Sequence, residues 1–283
     1  MKAIYKADLS LLGITFVWGS TFVIIKEALS GISPFLFIAI RFALATLIIG
    51  LIFRKRLFNI NKETLLAGSV IGAFLFLGVA FQTFGLKYTL ASKSAFITGS
   101  AVVIVPLLSI FVEKVVPKVS AIFGAILAGI GLWVLTNPRG AAFNRGDLLT
   151  IVCAVFFASQ IIFVEIYTRR LDFIKLVFAE FLAVTILSSI SAFAFENIQI
   201  IFSSYVVVAI LIISIPATAL ALTVQMWAQR ITTATRVGII FTTEPIFAMM
   251  FAYILAQEIF GTFEFIGAAI ILIGMLMAEL GRK

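Results

Sequence analysis

The chain has 283 residues, of which 63% are apolar and 12% charged, against about 45–50% and about 25% for a water-soluble domain. That balance excludes an ordinary soluble fold, and once membrane helices of ~20 residues each are set aside no length remains for a separate soluble domain. The net charge of +8 does not point to nucleic acid, because the Lys and Arg residues lie in small groups between apolar runs, the pattern that sets membrane topology.

The opening segment MKAIYKADLSLLGITFVWGSTFVIIK places basic residues before an apolar run, as a signal peptide does. It lacks a small-residue cleavage site and similar runs follow it throughout, so it reads as the first membrane helix. Apolar runs bounded by charge, Pro or Gly fall at 9–27, 34–53, 64–86, 94–113, 119–137, 148–168, 173–195, 205–227, 236–257 and 261–280. Each approaches the length needed to cross ~30 Å of hydrocarbon as a helix. The expected architecture is therefore an all-α integral membrane protein of ten transmembrane helices.

With the N-terminus in the cytoplasm, that side receives Lys2, Lys6, Arg54, Lys55, Arg56, Lys62, Lys114, Lys118, Arg169, Arg170, Lys175, Arg230, Arg236, Arg282 and Lys283. The opposite side receives Lys26, Lys87, Lys93, Arg139 and Arg145, and Arg41 stays inside a span. Fifteen against five favours both termini in the cytoplasm of a cell membrane.

The two halves, 1–140 and 141–283, repeat. At an offset of 139, Asp8 aligns with Asp147, Ser20 with Ser159, Phe42 with Phe181 and Arg41 with Glu180. At 143, Gln82 aligns with Gln225, Lys87 with Arg230, Lys93 with Arg236, Gly124 with Gly267 and Gly131 with Gly274. Five spans per half force the second copy to enter from the opposite side, so the repeats are inverted. Inverted repeats put a substrate site at their interface near the midplane, a design for alternating access.

FVWGSTFVIIKEAL followed by SPFLFIAIRFALA, and later AQRITTATRVGIIFTTEPIFAMMFAYILAQE with Glu244, Pro245 and Glu258, resemble in order and spacing the EamA family of the drug/metabolite transporter superfamily. The resemblance runs over nearly the whole chain. It implies ten helices, both ends cytoplasmic, and transport of amino acids, metabolites or drugs, frequently outward; it names no cargo. One departure is that Pro106 follows Val105, so the acid of the Glu-Pro pair exists only in the second half.

A charge at the bilayer centre costs ~2.5–3.5 kcal/mol on insertion scales, so it needs a partner or a wet cavity. Arg41 is a candidate to hold a carboxylate or phosphate and Glu180 to carry a proton or bind an amino group, while Glu244, expected eight residues into the ninth span, precedes a kink at Pro245 whose freed backbone carbonyl could grip a substrate. Helix packing by snorkelling or carbonyl bonding is the rival reading at each. Trp18 sits mid-span, where its indole N–H needs a partner. With Thr21, Gln82, Gln160, Gln225 and Thr243 it completes the expected substrate site, while Glu180 and Glu244 are the candidates for proton or charge coupling. Interhelical hydrogen bonding would account for the uncharged members as well. Trp133 and Trp227 read as interface anchors, and the Gly124/Ala128 and Gly274/Ala278 pairs as close-packing sites within a monomer or across a homodimer.

Histidine is absent and Cys153 is the one cysteine, which removes His-ligated metals, Ser-His and Cys-His nucleophiles and an intrachain disulfide framework. The expectation is a secondary transporter without a cofactor, moving small organic solutes such as amino acids or related metabolites outward. A multidrug or organic-cation exporter is the alternative. A membrane enzyme, a passive channel and a receptor are the rival classes, separated from a carrier by saturable counterflow.

Overall fold

A computed structural model describes residues 2–112, 119–136, 143–231, 237 and 240–280. Lys114, Pro117, Lys118, Arg139, Arg236, Arg282 and Lys283 lie outside the described residues. The helices are α1 Lys2–Ala28, α2 Pro34–Ile52, α3 Arg54–Leu57, α4 Lys62–Leu86, α5 Ala91–Gly99, α6 Ala101–Val112, α7 Val119–Thr136, α8 Arg145–Thr168, α9 Phe173–Phe195, α10 Ser204–Ser214, α11 Ala221–Gln229, α12 Glu244–Ala256 and α13 Thr262–Leu280. Among the described residues no strand forms; Ile32 and Ile200 make one isolated bridge. In lipid the backbone must satisfy its own hydrogen bonds, which leaves helices as the way to bury these apolar runs.

Among the described residues, six helical segments are long and apolar enough to cross a membrane: Ile4–Ala28, Pro34–Ile52, Lys62–Leu86, Arg145–Thr168, Phe173–Phe195 and Ser204–Gln229. Shorter apolar helices cover Ala91–Val105, Ile122–Leu135, Glu244–Ala256 and Thr262–Met277. The protein is an all-helical, multi-pass membrane protein.

Three apolar runs differ from the continuous helices expected of them. The fourth is divided at Ser100 into α5 and α6. The eighth contains a π-helical stretch, Ile215–Leu220, because Pro216 brings no N–H to the ladder. The chain widens there, and Ala221 N–H reaches Pro216 O. In the ninth run a turn at Thr242 and Thr243 precedes α12, so Glu244 and Pro245 open a helix. A proline in the first turn removes an N–H that has no helical acceptor anyway, so the sequence expectation of a mid-helix kink is replaced by a helix start.

The breaks in the fourth and ninth runs match at an offset of 143. Ser100 Oγ donates to Ile97 O at 2.5 Å and Thr243 Oγ1 to Ile240 O at 2.7 Å. Ser100 N–H donates to Ile97 O and Thr243 N–H to Ile240 O, at 3.2 and 3.0 Å. Ile104 N–H and Phe247 N–H return to Ser100 O and Thr243 O, at 3.2 and 3.1 Å. This register sets Glu244 opposite Ala101 and Pro245 opposite Val102, so the acid has no counterpart whichever offset is used.

Helix pairs also meet through residues that align. On α2 and α9, the Phe42 and Phe181 rings lie 5.7 Å apart and Thr46 Oγ1 is 3.3 Å from Thr185 Oγ1. On α7 and α13, a Cβ added to Gly131 would lie 2.7 Å from Ile271 N, and one added to Gly274 would lie 2.6 Å from Ala128 N. Ala128 and Ile271 are themselves 143 apart, so the contact is reciprocal. Only glycine permits backbones to approach this closely.

Polar groups gather at the two ends of the bundle. At one end Glu196 accepts from Phe35 N–H and Leu36 N–H of α2, Glu258 accepts from Ala91 N–H and from the backbone and hydroxyl of Ser92 on α5, and Asn144 and Asp147 form a capping box on α8. These acids answer unpaired helix N-termini with charge and acceptors. At the other end Arg56 pairs with Asp172 at 2.6 Å, Lys175 Nζ donates to Asn59 O at 2.7 Å, and the guanidinium groups of Arg56 and Arg230 both lie over the Phe173 ring.

Candidate functional site

The helix breaks and the middles of α1, α2, α4, α8 and α11 converge on a cavity of about 100 Å³. Trp18, Thr21, Arg41, Gln82, Gln160, Gln225 and Glu244 line it, with Phe22, Phe157 and Phe241 as aromatic walls. Seven of the nine candidate residues thus share one space. Thr243 does not line it: its hydroxyl is 3.0 Å from Thr15 Oγ1 and donates to Ile240 O, so it ties α1 to the ninth-run break. Glu180 stands one residue behind the wall, fully buried, its Oε1 accepting from Gln160 Nε2 at 2.9 Å. Its Oε2 has no hydrogen-bond partner among the described residues.

Each lining group is held by a distinct local device. The Trp18 indole N–H donates to Ala217 O at 2.9 Å, a carbonyl of the π-helical stretch, which meets the need that a mid-span indole creates. Arg41 Nε–H donates to Thr218 Oγ1 at 2.6 Å, and its guanidinium carbon stands 5.1 Å from the Phe42 ring centre. That bond is the one Arg41 makes among the described residues, so both terminal nitrogens remain available as a fork for a carboxylate or phosphate. The Glu244 carboxylate has no donor among the described residues and sits in the first turn of α12. Gln82 Nε2 donates to Thr98 Oγ1 at 3.4 Å. No described acid pairs with Arg41: the ion pairs among the described residues are Arg56–Asp172, Lys93–Asp147 and Arg169–Glu165.

The lining is built from aligned residues. At 139, Trp18 corresponds to Phe157, Thr21 to Gln160 and Phe22 to Ile161. At 143, Val79 corresponds to Leu222, Gln82 to Gln225, Thr98 to Phe241 and Ala101 to Glu244. These pairs supply fourteen of the eighteen lining residues. The counterparts of three others touch the lining from behind: Glu180 bonds Gln160, Thr218 bonds Arg41, and Pro245 Cγ would lie 2.7 Å from a Cβ on Gly99.

Sequence reasoning does not single out Thr98, Phe157 or Phe241. Thr98 is an ordinary residue in an apolar run, but Phe157 is within reach as the aligned partner of Trp18. Ser20 and Ser159, also aligned, bond Val17 O and Val155 O of their own helices and take no part in the site. Trp133 is exposed on α7 as an anchor would be, whereas Trp227 is half-buried and packs on the apolar core that includes Ala7 and Leu11 of α1.

Apolar helices surrounding a polar, partly aromatic cavity are the construction of a membrane transporter. Residues 5–137 and again 144–280 match the EamA-like transporter family, and the chain belongs to that family. An uncharacterized transporter of Archaeoglobus fulgidus is 34% identical, over 99% of this chain and 87% of its own length. The uncharacterized transporter YoaV of Bacillus subtilis is 23% identical, over 96% of each. A solved crystal structure, 18% identical, superposes with a TM-score of 0.73 over 98% of both chains, which is a likeness of fold.

Proposed function

We propose that this chain is a secondary transporter that exports small organic solutes, amino acids or related metabolites, across the cytoplasmic membrane by alternating access. In this reading residues 1–140 and 141–283 are two inverted five-helix halves of a ten-helix bundle, with both termini cytoplasmic. The observation that carries it is the pairing of the cavity's lining: a site made of the same positions from two opposed halves can face either compartment by exchanging their roles. Interrupted helices at that depth fit as well, because unpaired backbone inside a membrane is tolerated where it borders a cavity.

The Arg41 fork receives the solute's anionic group, Glu244 its ammonium, and the aromatic walls its apolar part. Glu180, joined to the cavity through Gln160, is the charge-coupling group. The small volume, against roughly 300–1,000 Å³ for a drug-sized pocket, favours compact metabolites over bulky drugs. An organic-cation exporter is the second reading, favoured by Glu244 among Trp18, Phe157 and Phe241, the environment that binds quaternary ammonium groups.

Thermal stabilisation of the purified protein by a panel of amino acids, nucleosides, sugar phosphates and organic cations tests both, because a bound solute shifts stability by mass action. Amino acids are expected to stabilise the wild type and to lose their effect in both Arg41→Ala and Glu244→Gln. Stabilisation by organic cations that survives Arg41→Ala selects the second reading. Shifts indifferent to both substitutions would contradict the assignment of the site.

A further inference from the structure

α5 is a nine-residue helix between the Ser100 break and the Lys87–Leu90 connector. It is nearly all interior: Ala91, Ala95, Phe96 and Ile97 are each at most 2% exposed. It packs on α8 and α12 and touches α1 and α4, so it fills the bundle between the cavity and one end. Thr98 and Gly99 at its C-terminus line the cavity, while Lys93 lies ~7.5 Å away along the helix, toward that end.

The attachment of α5 to α8 is uneven. Deep in the bundle it consists of weak contacts, Thr98 Oγ1 to Cys153 Sγ at 3.9 Å and Ser94 Oγ to Thr150 Oγ1 at 3.4 Å. At the end it is an ion pair, Lys93 Nζ to Asp147 Oδ2 at 2.7 Å, with the carboxylate side chain fully buried and the lysine 14% exposed. Thr89 Oγ1 donates to the same carboxylate at 2.7 Å and Asn144 N–H at 3.1 Å. Lys26 Nζ of α1 donates to Thr89 O at 2.8 Å. One carboxylate thus gathers the connector, α5 and the start of α8, α1 joins through the Thr89 carbonyl, and Glu258 caps α5 from the far side.

We propose that α5 is the plug closing the cavity at this end and that Lys93–Asp147 is its latch, released when α5 swings about Ser100 away from α8. The proposal rests on the alternating-access reading but is tested apart from it. Cys153 is the chain's one cysteine; it is buried at the α5–α8 contact against Thr98, so lifting α5 exposes a thiol already present.

The rate at which Cys153 reacts with a charged methanethiosulfonate reagent is measured in lipid nanodiscs, where both faces are open to solvent. Lys93→Gln is expected to react about tenfold faster than wild type or more, as local opening becomes cheaper. Lys93→Arg, which keeps the pair, should stay near the wild-type rate. Thr89→Val removes one hydrogen bond to the carboxylate and should fall between, keeping the test readable if the glutamine variant does not fold. A reporter cysteine at buried Ser188 of α9, in a Cys153→Ser background, should stay slow throughout. Unchanged rates in Lys93→Gln and Thr89→Val, acceleration by Lys93→Arg equal to that by Lys93→Gln, or a Ser188 reporter that speeds up equally would each overturn the latch. Faster Cys153 labelling in a protein that exchanges no solute keeps the latch and discards the transport reading; solute exchange with unchanged labelling does the reverse.

Discussion

Arg41 and Glu180 occupy the same position in the two halves and do not pair with each other: each is held by a neutral side chain, Arg41 by Thr218 at 2.6 Å and Glu180 by Gln160 at 2.9 Å. An arginine matched to a glutamate would silence both as ligands. Neutral partners fix the orientation of each group and leave its charge to be answered by something that enters. That is the requirement for groups that must release what they bind.

The Arg41 fork depends on its anchor. Thr218→Val removes the acceptor for Nε–H, which is expected to weaken solute binding about tenfold, the equivalent of ~1.4 kcal/mol and within the range for a hydrogen bond to a charged group. Arg41→Lys keeps the charge but cannot bond Thr218 and present a two-pronged donor together, so it is expected to bind solute no better than Arg41→Ala. Titration of the stabilising solute against each variant checks both.

Glu180→Gln should fold, because its amide oxygen can still accept from Gln160 Nε2, whereas Glu180→Leu strands that donor. If Glu180 carries the coupling charge, the rate of solute exchange in vesicles changes with pH in the wild type and becomes flat in Glu180→Gln. An unchanged pH profile removes Glu180 from the mechanism.

The α7–α13 contact predicts matched effects at matched glycines. Gly131→Ala and Gly274→Ala each force a methyl into opposing backbone and are expected to destabilise by about 1–3 kcal/mol, by similar amounts. Gly129, also on α7, has open space where a Cβ would stand, with nothing within 4 Å, so Gly129→Ala should be neutral or stabilising by up to about 1 kcal/mol through helix propensity. Denaturation in detergent separates the three.

Asp172 lies outside the membrane-spanning helices. Partial burial raises its pKa, but hydrogen bonds from Arg56 and from the backbone N–H groups of Lys175 and Ile174 outweigh that and hold the carboxyl below its usual value. A depressed acid stabilises the fold above its unfolded pKa of about 4 and loses that contribution as pH falls through the lower folded value. Melting temperature should therefore be insensitive to Asp172 between about pH 5 and 8 and fall below about 4, with Asp172→Asn flattening the acid limb. Because the pair is exposed, the effect should be about 1 kcal/mol or less.

The polar part of the cavity lining is legible in the sequence for one physical reason: a polar group in an apolar helix is costly against lipid, so Arg41, Gln82, Gln160, Gln225 and Glu244 have to point inward. The same argument cannot separate a group that faces the cavity from one consumed by a neighbour, which is why it gathers in Thr243, spent on Thr15 and Ile240. The breaks are harder to read. Gly99-Ser100 interrupts an otherwise smooth apolar run without a proline, and Pro245 signals an interruption without saying whether it bends a helix or begins one. At both breaks a hydroxyl bonds the carbonyl three residues back, but Ser20 makes the same bond inside the unbroken α1, so a serine and a threonine 143 residues apart give the sequence no signature of a break.

Counterflow in proteoliposomes tests the central claim most directly. Vesicles loaded with a stabilising unlabelled solute should take up the labelled solute transiently above its outside concentration, with saturable kinetics, and lose this in Arg41→Ala. Uptake that never exceeds equilibration and does not saturate would mean a pore, and no uptake at all by protein that binds the solute would mean a receptor; either result contradicts a cavity that faces the two sides in turn.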